Sequence, residues 1–327
     1  MSDTTNAIVI KEAGGPDVLC WQEVSLDAPK AGEVTLRHTA IGLNFIDTYH
    51  RTGLYLIPMP GVPGLEAAGV VEAVGDGVTG FEVGDRVAYP AGPIGAYAER
   101  RTFPAAKLIK LPDAVSDEDA AALMLKACTV EYLIFRTYAV KAGDTVLFHA
   151  AAGGVGLIAC QWLSALGVTV IGTVGSDEKA ELARANGCHH TINYAREDFT
   201  TRVMEITNGE GVPVVYDSVG KDTFMGSLNV LKRRGTLATF GNATGPVEPF
   251  SPGLLAQKGS LFITRPTLMD YTATRDELEL CTGRVFDAIA RGHIKADINQ
   301  RFALKDAADA HRALEARTTT GQTLLMP

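Results

Sequence analysis

The segment from Asp144 to Gly156 limits most strongly what this chain can fold into. Strand-forming residues, Thr145 to Phe148, lead into a series of alanines and glycines, and a helical pattern follows at once. This order is typical of a dinucleotide-binding turn, because the chain must reverse sharply and its backbone must approach a pyrophosphate at a helix N-terminus. Ala151 replaces the first glycine of the G-x-G-x-x-G pattern, so a turn that only packs a helix remains an alternative.

After this turn, predicted strands alternate regularly with predicted helices. Such alternation implies parallel crossovers and hence a doubly wound parallel sheet. The predicted strands are 168–173, 191–193, 212–217, 235–240 and 261–264. Their carboxyl ends carry small, polar or aromatic residues, and open parallel sheets bind ligands at that edge. We therefore expect a nucleotide cofactor there.

The end of the second strand distinguishes between the two nicotinamide cofactors. NAD sites place an acidic residue there to bind the ribose 2′-hydroxyl. This chain has the uncharged residues Thr173 to Ser176, and Lys179 follows in the next helix. That pattern favours the 2′-phosphate of NADPH. Alternatively, Lys179 is a solvated helix residue, and Asp177 and Glu178 offset its charge locally.

The N-terminal part of the chain predicts a β-rich domain. Glycine turns separate short strand-like segments, as in a compact barrel. These segments are 7–10, 34–41, 69–74 and 86–89. Ser116 and Asp119 then form a helix start, and helical segments follow over 120–127 and 129–138.

The C-terminal part returns to short strands. The predicted elements there are helices over 275–290 and 305–316 and strands over 298–302 and 323–326. We therefore predict an α/β chain in which a Rossmann domain, residues 123–268, is inserted into a β-rich domain formed by residues 1–122 and 269–327.

The bulk composition argues against several classes of function. The net charge of −8 disfavours nucleic acid and acidic membrane surfaces as partners. The five cysteines are scattered and odd in number, which indicates reduced thiols of a cytoplasmic protein. We find no apolar run of membrane-spanning length and no secretory signal, so we expect a protein without a membrane partner.

Several motifs together carry a resemblance to a known family. They are Asn44-Phe-Ile-Asp-Thr-Tyr49, Pro63-Gly-Leu-Glu-Ala-Ala-Gly69, Val83-Gly-Asp-Arg-Val87, Ala150-Ala-Ala-Gly-Gly-Val-Gly156 and Val215-Tyr-Asp-Ser-Val-Gly220. The chain resembles, over essentially its whole length, the zinc-free NADPH quinone oxidoreductases of the medium-chain dehydrogenase/reductase superfamily, which include zeta-crystallin. The resemblance implies a GroES-like barrel as the β-rich domain, NADPH as cofactor, a quinone as substrate, and a homodimer paired through the strand near Leu261 to Thr264.

The resemblance also implies an enzyme that works without zinc. Zinc-dependent members of the superfamily use a cysteine and the histidine of a Gly-His-Glu triplet, and this chain has Asn44 and Leu65 at those positions. Tetrahedral zinc needs three or four protein ligands, and the cysteine-rich structural lobe is missing as well. We expect the remaining histidines, including His149 and the pair His189 and His190, at the surface or at helix edges.

Without a strong Lewis acid, quinone reduction fits the chain better than alcohol oxidation, because the charge of a hydroquinone anion is delocalised. Asn44 and Tyr49 lie in the motif that the family places beside the nicotinamide, where either would donate a hydrogen bond to a developing oxyanion. Tyr55 would line the quinone pocket. Alternatively, Tyr49 and Tyr55 are packing residues with satisfied hydroxyl groups.

The family's cofactor contacts fall on residues from both predicted domains. The resemblance assigns the nicotinamide end to Phe45, Ile46, Asp47, Thr48, Tyr49, Lys126, Thr129 and Tyr132. It assigns the pyrophosphate to Gly154 and Val155, the 2′-phosphate to Gly175, Ser176 and Lys179, and the adenine end to Tyr194. The other assigned residues are Ser218, Phe240, Gly241, Asn242, Arg265 and Arg317. Alternatively, Lys126 only ends its helix.

Two other functions remain compatible with the sequence. One is a zinc-free NADPH enone or enoyl-thioester reductase of the same superfamily, which would add a proton donor beside the reduced carbon. The other is a non-catalytic role as a crystallin or an RNA-binding protein, against which the acidic balance of the chain argues.

Overall fold

The computed structural model describes residues 3–327, and the chain divides into two compact units. The first unit comprises residues up to Cys128, Thr272–Ala290 and Lys295–Pro327. The second comprises Thr129–Tyr271 and Arg291–Ile294. Along the sequence, the second unit is therefore an insertion in the first. Within residues 3–327, no helix combines the length and the apolar character needed to cross a bilayer.

The N-terminal segment of the first unit consists mainly of strands, as its short alternating patterns predict. The strands are β1 Asp3–Val9, β2 Cys20–Leu26, β3 Glu33–Gly42, β4 Glu66–Val74, β5 Arg86–Tyr89, β6 Arg100–Pro104 and β7 Ile109–Lys110. The helices are α1 Phe45–Thr52 and α2 Asp117–Glu131. Strands β1 and β2 form a separate antiparallel pair. Strands β2, β6 and β7 are additions that the sequence patterns did not predict.

Helix α2 differs from the two helical segments expected around it. The helix runs unbroken from Asp117 to Glu131 and continues as a π-helix over Tyr132–Thr137. Its start is capped as predicted, because the Ser116 hydroxyl accepts a hydrogen bond from the Asp119 N–H at 3.0 Å. The unbroken helix excludes the interpretation that Lys126 marks a helix end.

The second unit alternates strands and helices from β8 onward. Its strands are β8 Thr145–Phe148, β9 Thr169–Val174, β10 His190–Asn193, β11 Val212–Asp217, β12 Leu231–Thr239 and β13 Phe262–Thr264. Its helices are α3 Gly154–Ala165, α4 Asp177–Ala185, α5 Phe199–Ile206, α6 Phe224–Asn229, α7 Gly253–Gln257 and α8 Leu268–Tyr271.

All six strands of this unit are parallel and lie in the order β10-β9-β8-β11-β12-β13. The doubly wound sheet expected from the sequence is confirmed. Its strand order reverses between β8 and β11. In sheets of this kind the crevice outside the carboxyl ends of such a strand pair is where ligands bind. The apolar strands and the flanking helices form a hydrophobic core that includes Leu147, Ile171 and Val215.

The C-terminal segment completes the sheet of the first unit. Its elements are α9 Arg275–Ala290, β14 Ile298–Ala303, α10 Ala307–Glu315 and β15 Gln322–Met326. Strand β15 pairs with β3, so the sheet runs β14-β15-β3-β4-β5-β7, with β6 also paired to β3. The return of the chain to the β-rich unit, expected from the short C-terminal strands, therefore adds two strands to its sheet.

Candidate functional site

The glycine turn after β8 is shaped by close backbone contacts. A Cβ atom at Gly156 would lie 2.3 Å from the Ala150 carbonyl oxygen and 2.7 Å from the Ala151 backbone, so only glycine fits at this position. Ala150 has a φ of 55°, the left-handed conformation that glycine favours. Gly153 is the N-cap of α3, and Gly154 and Val155 form its first turn. The turn therefore brings the exposed Gly153 backbone to a helix N-terminus, where anions bind.

The end of β9 brings together the four residues expected at the adenosine end. The Ser176 hydroxyl caps α4 by accepting a hydrogen bond from the Lys179 N–H at 3.3 Å. A Cβ atom at Gly175 would lie 2.5 Å from the Tyr194 hydroxyl, so Tyr194 packs against the strand end because Gly175 has no side chain. The Tyr194 side chain is half exposed.

Arg196 is a cation at this end that the sequence analysis did not single out. Its guanidinium lies 2.7 Å from one Asp177 carboxylate oxygen, and the other oxygen accepts a hydrogen bond from the Asn193 side chain at 2.9 Å. The acid that was expected to offset Lys179 is thus engaged by two other side chains. Arg196 follows β10, the third strand of this unit, so its position in the sequence did not indicate that it would reach Asp177 at the start of α4.

The carboxyl ends of β11, β12 and β13 bring a second set of expected residues together. A Cβ atom at Gly241 would lie 2.4 Å from the Ser218 carbonyl oxygen, so the two backbone segments touch. The Arg265 guanidinium donates a hydrogen bond of 2.9 Å to the Gly241 carbonyl oxygen. Phe240 lies beside Gly241, and the Asn242 Cα lies near Gly220. The five residues Ser218, Phe240, Gly241, Asn242 and Arg265 therefore form one cluster.

His149 does not lie at a surface or helix edge, so that expectation is wrong. The side chain is fully buried, and its ring nitrogens lie 2.9 Å from the Thr173 hydroxyl and 3.0 Å from the Ser227 hydroxyl. Two hydroxyl groups satisfy both ring nitrogens, which makes burial possible, and burial lowers the pKa of His149. His38, His50 and His311 are also buried, whereas His189 and His190 are exposed as expected.

In the first unit, the buried Glu66 carboxylate organises the segment around Asn44. One oxygen accepts hydrogen bonds from the Asn44 amide at 2.8 Å and the Lys126 ammonium at 2.9 Å. The other oxygen accepts from the Leu125 N–H at 2.6 Å. A Cβ atom at Gly42 would lie 2.2 Å from Glu66 Oε1, so the carboxylate occupies space that glycine leaves open. Asn44 and Lys126 are thus held on one oxygen atom.

Asp47 is the third buried polar residue of this cluster. One of its carboxylate oxygens accepts hydrogen bonds from the Asn44 N–H and the Tyr97 hydroxyl, both at 2.9 Å. The other oxygen is buried and has no hydrogen-bond partner. Burial raises the pKa of Asp47 to about 7, although the Asn44 and Tyr97 donors act in the opposite direction.

Aromatic side chains extend from this cluster along α1. Tyr49 is buried, and its ring lies 5.6 Å from Phe45 and 5.3 Å from Tyr55, in edge-to-face contacts. The Thr48 hydroxyl donates to the Phe45 carbonyl oxygen at 2.7 Å, whereas Ile46 is half-buried. These contacts agree with the packing alternative for the two tyrosines and leave a hydrogen-bonding role open.

The remaining expected site residues are Thr129, Tyr132 and Arg317. Thr129 and Tyr132 are buried residues of the second unit, where the Tyr132 ring stacks on Tyr271 with centroids 4.6 Å apart. Arg317 is an exposed residue of the first unit, with a φ of 58°, just after α10.

The partners that hold the Asn44 segment were not predicted from the sequence. Glu66 stood in the Gly64-Leu65-Glu66 triplet, and a charged residue among apolar strand residues was a signal of a buried pair. Tyr97 and His311 offered no such signal, because they are distant in sequence from the residues they contact.

The arrangement combines two chemical capabilities. The first unit holds amide, ammonium and carboxyl groups in a buried cluster, with a carboxyl group that changes protonation state near neutral pH. The second unit offers a tight turn, glycine-lined strand ends and cations at one sheet edge. Among residues 3–327, no group of three or more His, Cys, Asp or Glu side chains is arranged to hold a metal ion.

The chain matches two family models. Residues 30–113 match the alcohol dehydrogenase GroES-like domain, and residues 154–279 match the family described as zinc-binding dehydrogenase. The first match spans strands β3 to β7, and the second begins at Gly154, in the first turn of α3, and spans strands β9 to β13.

Relatives resemble the chain over almost its full length. A quinone oxidoreductase of Pseudomonas aeruginosa is 55% identical, covering 96% of this chain and 97% of the relative. A 2-haloacrylate reductase of a Burkholderia species is 49% identical, covering 98% of both chains. The crystal structure of Escherichia coli quinone oxidoreductase complexed with NADPH superposes with a TM-score of 0.97 at 49% identity, covering 98% of this chain and 100% of that chain.

The close contacts of Gly156 predict that Gly156→Ala is strongly destabilising. The new methyl group would overlap backbone atoms, and overpacking of this kind costs about 1–3 kcal/mol. Gly283→Ala is the matched control, because a Cβ atom at this α9 position meets nothing within 4 Å. Alanine there is expected to stabilise the helix by up to about 1 kcal/mol. Urea unfolding of both variants measures the difference, and equal free energies of unfolding would contradict the close-contact argument.

Proposed function

Because this chain belongs to the quinone oxidoreductase family of the medium-chain dehydrogenase/reductase superfamily, we propose that it reduces a quinone with NADPH. The observation that carries the proposal is the sequence identity of 50–55% to quinone oxidoreductases over 96% of this chain. The glycine turn, whose shape fits a dinucleotide, supports it. NADPH would supply the hydride. The protein's own contribution is to bind, orient and hydrogen-bond the substrate.

The second unit has the features that an NADPH-binding domain requires. Gly153, Gly154 and Val155 would hold the pyrophosphate at the start of α3. Lys179 and Arg196 would bind the 2′-phosphate beside Gly175 and Ser176, and Tyr194 would contact the adenine. The cluster of Ser218, Phe240, Gly241, Asn242 and Arg265 would complete the cofactor site. We also propose that this NADPH-binding domain extends from residue 123 to residue 268.

The first unit would form the catalytic domain and bind the nicotinamide end and the quinone. Asn44 and Tyr49 would act as hydrogen-bond donors to the reduced oxygen, and Tyr55 would line the quinone pocket. The remaining residues assigned to this end are Phe45, Ile46, Asp47, Thr48, Lys126, Thr129, Tyr132 and Arg317.

We also propose that the enzyme works without zinc. Asn44 and Leu65 stand where zinc-dependent members have a cysteine and a histidine, and the buried Asn44 amide is already bonded to Glu66. An amide and an aliphatic side chain do not fit a zinc site, which needs N, S or carboxylate ligands. Metal analysis of the purified protein tests this part.

A second activity is favoured by one specific finding. The 2-haloacrylate reductase of the Burkholderia species is 49% identical, and a haloacrylate carries an activated carbon–carbon double bond. Reduction of an enone or an enoyl thioester uses the same hydride and adds a proton to the neighbouring carbon. We therefore propose an activated alkene as the alternative substrate class.

The assay that tests the function compares acceptors under NADPH. We expect NADPH oxidation to be fastest with 1,4-benzoquinone, slower with a 2-enone and with 2-chloroacrylate, and slowest with an enoyl-CoA. The reason is that the quinone's anion is delocalised and needs no dedicated proton donor. Faster oxidation with any of the three alkenes would replace the quinone proposal by the alternative, and no oxidation with any acceptor would reject both.

Replacement of Lys179 should weaken binding of NADPH selectively. Loss of a charge-assisted hydrogen bond predicts that Lys179→Ala raises the dissociation constant for NADPH about tenfold and leaves that for NADH unchanged. Protein fluorescence titration measures both constants. Lys232→Ala is the control, because Lys232 lies at the start of β12, away from the carboxyl ends of the strands. An equal effect on NADH would contradict a role at the 2′-phosphate.

We propose further that the protein is a cytoplasmic homodimer. Strand β13 is an edge strand, and its Phe262 side chain is 61% exposed, so pairing with a second copy would cover both the edge and the ring. All five cysteines are free thiols, as in a reducing compartment.

The edge strand gives a direct test of the dimer. We expect wild-type protein to sediment as a dimer and Phe262→Lys as a monomer, because a charge on the edge strand opposes pairing. Met269→Lys is the control, since it places the same charge on another exposed apolar residue of the second unit that lies off the strand edge. A monomeric wild type, or a dimeric Phe262→Lys variant, would contradict pairing through β13.

A further inference from the structure

A chain of buried hydrogen bonds runs from Asp47 into the C-terminal helix of the first unit. The Tyr97 hydroxyl lies 2.9 Å from Asp47 Oδ2 and 3.1 Å from His311 Nε2, and His311 Nδ1 lies 3.1 Å from the Arg51 guanidinium. The side chains of Asp47, Tyr97 and His311 are completely buried, and Arg51 is 1% exposed. Burying polar side chains costs free energy unless each of them forms hydrogen bonds. A buried series of four such side chains therefore suggests a specific role.

Arg51, the last residue of this hydrogen-bond chain, determines which group donates and which accepts in each hydrogen bond. Arginine has only donors, so His311 Nδ1 must accept a hydrogen bond from Arg51. The proton of a neutral imidazole then lies on Nε2, which donates to the Tyr97 oxygen, and Tyr97 donates its own proton to Asp47. Burial and the adjacent Arg51 charge lower the pKa of His311 to about 3, which keeps the ring neutral.

Hydrogen-bond acceptors from two segments of the polypeptide hold Arg51 in place. Its guanidinium bonds both Glu315 carboxylate oxygens, at 2.6 and 2.9 Å, and the Gly14 carbonyl oxygen at 3.0 Å. His311 and Glu315 lie four residues apart in α10 and therefore meet Arg51 from one face of that helix. The Glu315 side chain is 35% exposed, so the series of hydrogen bonds ends at the protein surface.

The opposite end of the chain is asymmetric. Asp47 Oδ2 receives two donors, from the Asn44 N–H and Tyr97, whereas the buried Oδ1 receives none. The carboxyl group is therefore held by one oxygen in a defined orientation. The same Asn44 carries the side-chain amide that Glu66 holds, so the position of Asn44 depends on both carboxyl groups.

We propose that Tyr97, His311 and Arg51 are positioning residues for the reaction, which orient Asp47, and through it the Asn44 segment, by a hydrogen-bond chain of fixed direction. This inference rests on the proposed function, because Asn44 is a catalytic residue only if its motif meets the substrate. None of the three residues belongs to a motif that carried the family resemblance.

The Tyr97 hydrogen bond also affects the pKa of Asp47. The ionisable groups that face Asp47 are Tyr97, Glu66 on β4 and Lys126 on α2, with His311 and Arg51 beyond Tyr97. Glu66 raises the pKa of Asp47 and Lys126 lowers it, while burial is the largest effect and sets it at about 7. Since the Tyr97 donor stabilises the carboxylate, its removal should raise the pKa further.

The first test needs no cofactor and measures urea unfolding midpoints between pH 4 and pH 8. Asp47 binds its proton more tightly in the folded protein, so its contribution to stability is lost as the pH rises from about 4 through about 7. Asp47→Asn should remove this loss, because its amide oxygen still accepts both hydrogen bonds but cannot titrate. Tyr97→Phe should move the loss to higher pH. An identical pH dependence in all three proteins would overturn the proposal.

The second test measures benzoquinone reduction under NADPH. His311→Leu breaks the chain, and we expect kcat to fall about 10- to 100-fold with little change in KM, as misplacement of a reacting group does. His311→Gln should restore most of kcat, because its amide accepts from Arg51 and donates to Tyr97. In Tyr97→Phe, the apparent pKa of the kcat profile should move upward. Arg312→Gln, an exposed change in the same helix, is the control.

The two tests separate this inference from the proposed function. If the wild type does not reduce benzoquinone, the proposed function fails, and the unfolding titrations still decide whether the chain controls Asp47. If the wild type is active but His311→Leu has lower stability with unchanged kcat and an unchanged pH profile, the residues are structural only and the positioning proposal is wrong.

Discussion

The hydrogen bonds and the ion pair of the buried Glu66 carboxylate are the interactions on which the candidate catalytic segment around Asn44 depends. A buried carboxylate is tolerated only when its charge and lone pairs are satisfied. Here the Lys126 ammonium, the Asn44 amide and the Leu125 N–H satisfy them, from two different stretches of chain. Gly42 must lack a side chain for the carboxylate to fit. The geometry of the segment is thus set by electrostatics, since removal of any one partner would leave a charge or a dipole buried without compensation.

The second unit reaches its binding geometry by backbone shape. Parallel strands that reverse their order between β8 and β11 leave a crevice at their carboxyl ends. Glycines at 156, 175 and 241 let backbones and the Tyr194 ring approach within distances that a methyl group would prevent. Lys179 and Arg196 are the cations that we propose bind the 2′-phosphate. The first unit therefore presents a fixed set of polar side chains, whereas the second presents mainly shaped backbone.

Local pattern predicts most of the fold here, because strands and helices of the second unit follow from residue spacing alone. Helix α4 and strand β11 begin and end where the sequence indicates. The Asn44 motif could also be identified, since it is continuous. Pairings between distant residues could not be predicted, and two cases show why. His149 is polar and was expected outside, yet Thr173 and Ser227 satisfy it in the interior. Arg51 is fully buried because residues 260 and 264 positions later complete its hydrogen bonds.

That last separation has a consequence for how the chain matures. The second unit is complete once Ile294 has been synthesised, whereas Arg51 has no partner in α10 until His311 and Glu315 emerge. At a translation rate of about 5 to 20 residues per second, roughly 13 to 53 s separate the synthesis of Arg51 from that of Glu315. The end of β3 at Ile41 and Gly42 likewise lacks its partner strand until β15 has been synthesised. The first unit, most of which is synthesised before the insertion, is therefore the last to be completed.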